Sequence, residues 1–489
     1  MTMILSIGAS STIDSNTWIN LPWDRINKRV IRLQMRIAKA IKEERFGKVK
    51  ALQRLLTCSF HAKCLAVKRA TTSKGAKTPG IDNVVWRTSL QKIKAVLSLK
   101  RCKYRPLPLK RIYIPKKDKS KLRPISIPAM KDRAMQNLWH MALSPIAEIG
   151  ADYNAYGFRL KRSAQDAIQQ CYASLCHKTS AQYIFEGDIY SCFNNISHQW
   201  LLENILMDKV ILKKFLKAGF MEKQKLYPTE AGAEQGNIIS PTLALMALSG
   251  LERAVKSNFT ALDRVHVIIY CDDFIITAKS KELITERIIP IVTKFLNNVG
   301  LELSEKKSKI THIDDGFDFL GFNVRKHNRK LLIKPSKCNV KAFLEEIKST
   351  IKTNYAAKTV NLIMLLNSKI RGWSNYYRGA VSSRIFAKID DEIFKSLWKW
   401  AIHRHPNKGR FWIVDKYFTR YRLSNWRFYA KSKDKEVNNK MVYLYKATDT
   451  PIRRHIKVIG AAQPFDNEFR GYFEKRDQIK RCKLQGIRY

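Results

Sequence analysis

Two short apolar segments separated by a pair of carboxylates constrain this chain more than any other feature. In HVIIYCDDFIITAKS, His266 to Ser280, the residues up to Tyr270 are nearly all apolar, and a second apolar run starts at Phe274. Runs of this length flanking turn-forming residues read as buried strands, so the stretch predicts a hairpin with Asp272 and Asp273 at its tip. Taken alone, the pattern is compatible with ordinary turn chemistry, because Asp is common in tight turns. A third apolar strand, AQYIFEGD, ends on Asp188. Like charges a few ångströms apart resist joint ionisation unless a cation lies between them. Three carboxylates on adjacent strand ends would therefore make a hard-oxygen site suited to Mg²⁺. Two such ions, about 3.5–4 Å apart, stabilise the attacking and leaving oxygens of an in-line phosphoryl transfer.

The charge balance narrows the partners. Of 489 residues, 91 are Lys or Arg against 41 Asp or Glu, a net +50. Such a chain is expected to seek a polyanion, and nucleic acid leads because each neutralised phosphate releases counterions. A basic membrane-surface protein is the rival reading. No run of about 18 apolar residues is present to span a bilayer, and the basic residues are spread along the whole chain, so no membrane partner is expected. The nine cysteines include no CxxC pair. Their odd number and irregular spacing read as free thiols in a reducing compartment. The N-terminal segment has no basic lead before its apolar patch, so no signal peptide is expected. CSFHAKC sets Cys58, His61 and Cys64 at zinc-like intervals, yet it lies within an apolar stripe (Leu52, Leu55, Leu56, Phe60, Cys64, Val67) and lacks a fourth ligand. We read it as helix core.

Along the chain, basic amphipathic helices over 26–45 and 48–69 precede a loop, TTSKGAKTPGID. RIYIPKKDKSKLRPISIP predicts a basic hairpin and MKDRAMQNLWHMALSPIAEI a helix; AQYIFEGDIYSCF is a strand entering a turn, followed by the helix SHQWLLENIL. The mixture predicts an α+β fold. Beyond Pro335, three helical stripes (Val340 to Ile351, Leu362 to Trp373, Phe386 to Trp400) predict a three-helix unit over about 336–405. The remainder, from GRFWIVDKYFTRYRLSNWRFYAK, interleaves aromatics with Arg and Lys. Those rings would stack bases beside held phosphates or form the core of a small basic domain, and the two readings are compatible.

The order of SKLRPISIP, NAYGFR, FEGDIYSCFNNISH, AEQGNIISP, YCDDF, GLELSEKKSKI and FDFLGF resembles the successive blocks of reverse transcriptases. More narrowly it resembles the group II intron-encoded reverse transcriptase and maturase family, with GAKTPGID similar to its N-terminal extension block and IRGWSNYYRG to its thumb, or maturase domain X. The match runs from about Trp23 to Asp466. It implies a right-hand polymerase with fingers and an antiparallel palm sheet, a three-helix thumb and a small basic C-terminal DNA-binding region. The corresponding boundaries are 1–100 (with the extension loop at 71–86), 101–335, 336–410 and 411–489. The chain ends at RCKLQGIRY with Cys482 alone, so the endonuclease domain of many relatives is expected to be missing.

The resemblance also implies roles. Asp188, Asp272 and Asp273, with the Ile189 carbonyl, would bind two catalytic Mg²⁺. Lys116 and Arg123 would hold the incoming dNTP triphosphate, unless they lie on an ordinary solvated hairpin face. Phe193, otherwise a core residue, would exclude a 2′-hydroxyl. Gln235 and Gly236 would lie near the nascent base pair, with glycine permitting close backbone approach. Lys307 would protonate the pyrophosphate leaving group, although with Lys306 and Lys309 it equally forms a solvated charge run. Arg159, Arg371, Trp373, Tyr376, Tyr377 and Arg378 would contact nucleic acid.

Three departures from the family pattern stand out. Cys271 replaces the usual Ala, Asn237 replaces the second Gly of QGG, and Asn194 replaces an Asp. Cys271 is expected to cost little, and Asn237 to tolerate unusual backbone angles. The implied function is RNA-directed DNA polymerisation together with splicing and retrohoming of a host intron. Its partners would be intron RNA in a ribonucleoprotein, target DNA and a DNA primer, with no protein partner required. Work in host DNA repair or phage defence, or a splicing-only role, stays open. The compartment would be the bacterial cytoplasm at the nucleoid, or an organelle.

Overall fold

A computed structural model describes residues 16–115, 122–421, 424–431 and 441–485. The chain forms two compact units: 1–163 with 185–310 and 458–489, and 164–184 with 311–457. Helices and mixed or antiparallel sheets alternate through both, the α+β organisation expected.

In the first unit, the helix Trp23–Lys42 buries Ile26, Val30, Gln34, Ile37 and Ala38 and turns most of its basic residues outward. The continuous helix expected over 48–69 is two helices, Phe46–Cys58 and Phe60–Thr72. They break at Ser59, whose ψ of 128° is extended. Cys64 is buried, Cys58 is exposed, and His61 Nε2 meets the Arg29 guanidinium at 2.9 Å, so the zinc-like spacing belongs to helix packing. The extension loop docks on the start of the helix Met130–Gly150. Arg133 donates to the carbonyls of Gly75 (2.8 Å) and Thr78 (2.6 Å), and Gly80 lies too close to the Ala129 backbone for any side chain.

The basic hairpin forms as β1 (Leu109–Pro115) and β2 (Leu122–Ile127), paired from Lys110↔Ile127 to Pro115↔Leu122. After β3 (Tyr183–Asp188), the short strands β4 (Phe220–Glu222) and β5 (Lys225–Tyr227) extend that first sheet in the order β2-β1-β4-β5. The central hairpin is β6 (His266–Tyr270) and β7 (Asp273–Ala278), antiparallel from His266↔Thr277 to Tyr270↔Asp273. With β8 (Lys309–His312) it joins a second sheet, β6-β7-β3-β8. Val267, Ile268, Phe274, Ile275 and Ile276 are buried, as two-sided burial of these strands requires.

In the second unit, β9 (Phe317–Phe319), β10 (Phe322–His327) and β11 (Lys330–Pro335) form an antiparallel sheet. The three predicted helices follow as Lys337–Thr353, Thr359–Tyr377 and Ser383–Arg404. Their expected stripes are buried at Phe343, Ile347, Leu362, Leu366, Phe386, Ile389, Ile393 and Leu397. A small sheet of β12 (Phe418–Tyr421), β13 (Ser424–Lys431) and β14 (Met441–Tyr443) completes the unit. Its aromatics divide between core and surface. Tyr417 and Phe428 stack at 5.7 Å in a core with Trp400, whereas Phe411 (92% exposed) and Trp426 (47%) face solvent.

Candidate active site

The hairpin tip is a two-residue turn, Cys271–Asp272, between β6 and β7. A tight hairpin requires positive φ at its first central residue, and Cys271 adopts φ +60°. The side chain that sequence reasoning treated as a mild variation thus occupies a backbone position that disfavours every L-residue. The tip is also held from outside. The NAYGFR segment runs beside β6, with Tyr156 N–H donating to the Ile269 carbonyl (2.9 Å) and Ile269 N–H to that of Asn154 (3.0 Å). There Gly157 packs flat on the Cys271 backbone, and a Cβ would come under 3.0 Å from the Cys271 nitrogen and Cα. The motif was legible as a block, but nothing in it signalled this contact.

Asp188 and Asp273 lie on neighbouring strands, β3 and β7. Although Asp273 reaches solvent, its carboxyl is pushed up to about 6 by burial, with the charges of Asp272 and Asp188 adding and Lys307 opposing. Mutual repulsion of this kind asks for positive charge. Lys307 supplies some of it, since its ammonium donates to Asp188 Oδ2 at 2.8 Å. Lys309 instead pairs with Glu186 at 3.2 Å. Geometry therefore separates Lys307 from Lys309, which the sequence left equivalent. Among the described residues no three His, Cys, Asp or Glu side chains are gathered into a ready metal-binding group. The donors are nonetheless hard oxygens with a cation already drawn to one of them, which fits Mg²⁺ chemistry. Ile189 faces Leu303 across an antiparallel bridge. The bonds there use the Asp188 carbonyl and the Tyr190 amide, not the Ile189 carbonyl. Cys192 and Cys271 flank the carboxylates, and burial pushes each thiol up to about 12, so both stay protonated.

Phe193 is half-buried, with its ring edge-on to Phe158 at 5.8 Å. Gln235 accepts from Ser126 N–H at 2.7 Å through its carbonyl. Gly236, at φ +111°, lies so close to the Ser126 carbonyl that any Cβ would collide with it. Arg123 is exposed on β2, opposite Ile114, and Lys116 lies outside the described residues.

Three family descriptions match the chain: "N-terminal domain of reverse transcriptase" over residues 18–99, "Reverse transcriptase (RNA-dependent DNA polymerase)" over 114–324, and "Group II intron, maturase-specific domain" over 340–418. Protein YkfC of Escherichia coli is 33% identical, over 57% of this chain and 84% of that one. Group II intron-encoded protein LtrA of Lactococcus lactis is 27% identical, over 64% and 68%. The chain belongs to the group II intron-encoded reverse transcriptase and maturase family. It is an RNA-directed DNA polymerase by that membership. Among the described residues no helix is long and apolar enough to cross a membrane.

Of the residues expected to touch nucleic acid in this maturase, Arg159 and Tyr377 are buried in contacts within the fold. Arg159 is buried, with its Nε donating to Glu148 Oε2 (3.0 Å) and its Nη1 to the Asp152 carbonyl (2.7 Å). Releasing that guanidinium to a phosphate would leave the buried Glu148 carboxylate without its counter-charge, a cost of about 3–5 kcal/mol. Tyr377 is also buried, and its hydroxyl donates to the Gly321 carbonyl at 3.1 Å. Trp373 stacks on Phe343 at 4.8 Å within the three-helix core. Tyr376 donates to the Leu320 carbonyl at 2.9 Å. Arg378 is half-buried with Nη1 near Asn375 Oδ1 (3.4 Å), whereas Arg371 is exposed, its guanidinium 4.9 Å from the Tyr445 ring centroid. Asn237 does not use unusual backbone angles. It is buried, and its Oδ1 accepts from Gln136 Nε2 at 2.9 Å while Gln136 Oε1 accepts from Ile238 N–H at 2.8 Å. Gln136 lies a hundred residues away, so no local pattern pointed to it.

Proposed function

We propose that this protein copies RNA into DNA at the Asp188–Asp272–Asp273 site and also binds its host group II intron RNA, promoting splicing and retrohoming by target-primed reverse transcription. The observation that carries the reading is the placement of Asp188 and Asp273 on adjacent strands, with the Asp272 turn beside them, inside the family's ordered blocks. In this reading the three carboxylates hold Mg²⁺, which supplies electrostatic stabilisation of the attacking and leaving oxygens. Arg123, and Lys116 with it, orient the triphosphate through charge-assisted bonds. Phe193 closes the space a 2′-hydroxyl would need. Lys307, released from Asp188 as the site fills, delivers a proton from Nζ to the departing pyrophosphate. Arg371 and the outward Phe411 and Trp426 offer exposed contacts for nucleic acid.

Purified protein is expected to extend a DNA primer on an RNA template with dNTPs and Mg²⁺, and to lower the Mg²⁺ needed for splicing of its cognate intron. Splicing that is indifferent to the protein would remove the maturase role and leave the polymerase. Phe193→Val should admit ribonucleotides roughly ten- to a hundred-fold more readily, the scale on which pocket volume discriminates; unchanged sugar preference in single-nucleotide incorporation would take Phe193 out of the gate. With +50 net charge, RNA affinity should fall by about 10³-fold or more between 50 and 200 mM salt, as expected for six or more phosphate contacts. A flat response in filter binding would contradict phosphate-dominated binding.

A further inference from the structure

The loop Gly232–Ile238 is tied at one end to the segment carrying Phe193 and at the other to the β1–β2 hairpin. At the first end, Ala233 N–H donates to the Phe193 carbonyl (2.7 Å) and Gly232 N–H to that of Ile196 (2.8 Å). Gly232, at φ +84°, leaves no room for a Cβ against the backbone of Phe193 and Asn194, so this joint is tight.

At the other end, a single carboxylate oxygen gathers the contacts. Glu234 Oε2 accepts from Arg111 Nη2 (2.7 Å) and from the Ser126 hydroxyl (2.7 Å). Arg111 and Ser126 face each other across the β1–β2 ladder, and Arg111 Nε donates to Ser126 Oγ at 3.1 Å. The Ser126 amide holds the Gln235 carbonyl, and its own carbonyl abuts Gly236. Arg111 is further fixed by the Phe220 ring, 3.5 Å from the guanidinium carbon. The Arg111 and Glu234 side chains are only 11% and 15% exposed. Solvent therefore screens this pair far less than a surface ion pair, which would constrain little. Shared, partly desolvated charge-assisted bonds hold geometry, because losing one partner strands the others.

We propose that Glu234 is a positioning residue for nucleotide selection. It fixes the loop bearing Gln235 and Gly236 to the fingers hairpin and, through the Ala233–Phe193 bond, sets the position of the ring that tests the sugar. Sequence, spacing and family blocks assign nothing to Glu234, Arg111 or Ser126; the assignment comes from the shared oxygen. It rests on the reading of Phe193 and Gln235 as nucleotide-contacting residues.

The test is steady-state incorporation of one deoxynucleotide and the matching ribonucleotide on an RNA template, with RNA affinity and thermal unfolding as controls. Misplacing a group by about 1 Å can cost up to about 10²-fold, so Glu234→Ala should raise KM for the deoxynucleotide roughly ten-fold, with kcat changed less. It should also erode the deoxy-over-ribo preference. Glu234→Gln, which retains an acceptor oxygen, should recover most of both. Ser126→Ala leaves the Arg111–Glu234 pair in place, so it keeps the test open should Glu234→Ala fail to fold, and it should give a smaller shift in the same direction. Wild-type KM and preference in folded Glu234→Ala and Ser126→Ala, alongside an altered preference in Phe193→Val, would overturn the proposal and leave the gate standing. If Phe193→Val too is unchanged, the gate itself fails and the proposal with it. A fall in kcat alone would mark Glu234 as structural only and likewise overturn it.

Discussion

Asp272→Asn is expected to lower primer extension by roughly 10³-fold or more while leaving RNA binding and the folded state intact. The substitution keeps the volume of the side chain and the two-residue turn, and removes only charge and one anionic donor. A metal ion contributes several kcal/mol to transition-state charge stabilisation, and each 1.36 kcal/mol is a factor of ten in rate. Asn is among the residues that turns favour, so the β6–β7 ladder should persist. The loss should appear in the chemical step, measured in single turnover at saturating dNTP, and Mn²⁺ titrated into the protein should bind more weakly. Because Asp272 is among the charges that push the Asp273 carboxyl up to about 6, its removal should also let Asp273 ionise at lower pH. Undiminished incorporation by Asp272→Asn would show that the acid pair at this tip does not hold the catalytic metal.

What could be read in advance depended on how local its cause was. The β6–β7 hairpin, the β1–β2 hairpin and the three helices between Lys337 and Arg404 follow from patterns that each segment carries in its own residues. The break at Ser59 escaped because Leu52, Leu56, Cys64 and Val67 are buried on both sides of it, so the stripe runs on while the backbone turns. The burial of Arg159 and Tyr377 escaped for another reason. Arg and Tyr suit a nucleic-acid surface, and the same donors suit a buried carboxylate or carbonyl; only the positions of Glu148 and Gly321 decide between them. Lys307 differs from Lys306 and Lys309 by one observation, the 2.8 Å bond to Asp188, 119 residues away. Contacts of that separation leave no mark on spacing. The apolar strand ends and the ordered blocks pointed to Asp188, Asp272 and Asp273, yet they were silent on Glu234, Gln136 and Gly157, which touch distant parts of the chain.

Gly157→Ala is expected to reduce polymerisation by about 10²-fold without touching any residue proposed to meet substrate or metal. Its Cβ would fall under 3.0 Å from the nitrogen, Sγ and Cα of Cys271. Two of these are backbone atoms of the turn that presents Asp272, so relief requires moving the turn. A shift of about 1 Å in a catalytic group is enough for a loss of that size. Overpacking typically costs about 1–3 kcal/mol of stability, so the protein should remain folded and bind RNA. Gly150→Ala is the matched control, since a Cβ there meets nothing within 4 Å, and it should be fully active. The companion variant separates two explanations. Cys271→Ala alone should stay within a few-fold of the parent, because it changes neither the turn nor the carboxylates. Combined with Gly157→Ala it should not restore activity, since the Cys271 nitrogen and Cα stay where they are. Rescue by the double variant would mean that the sulfur, and not the backbone of the turn, is what the missing side chain at 157 makes room for.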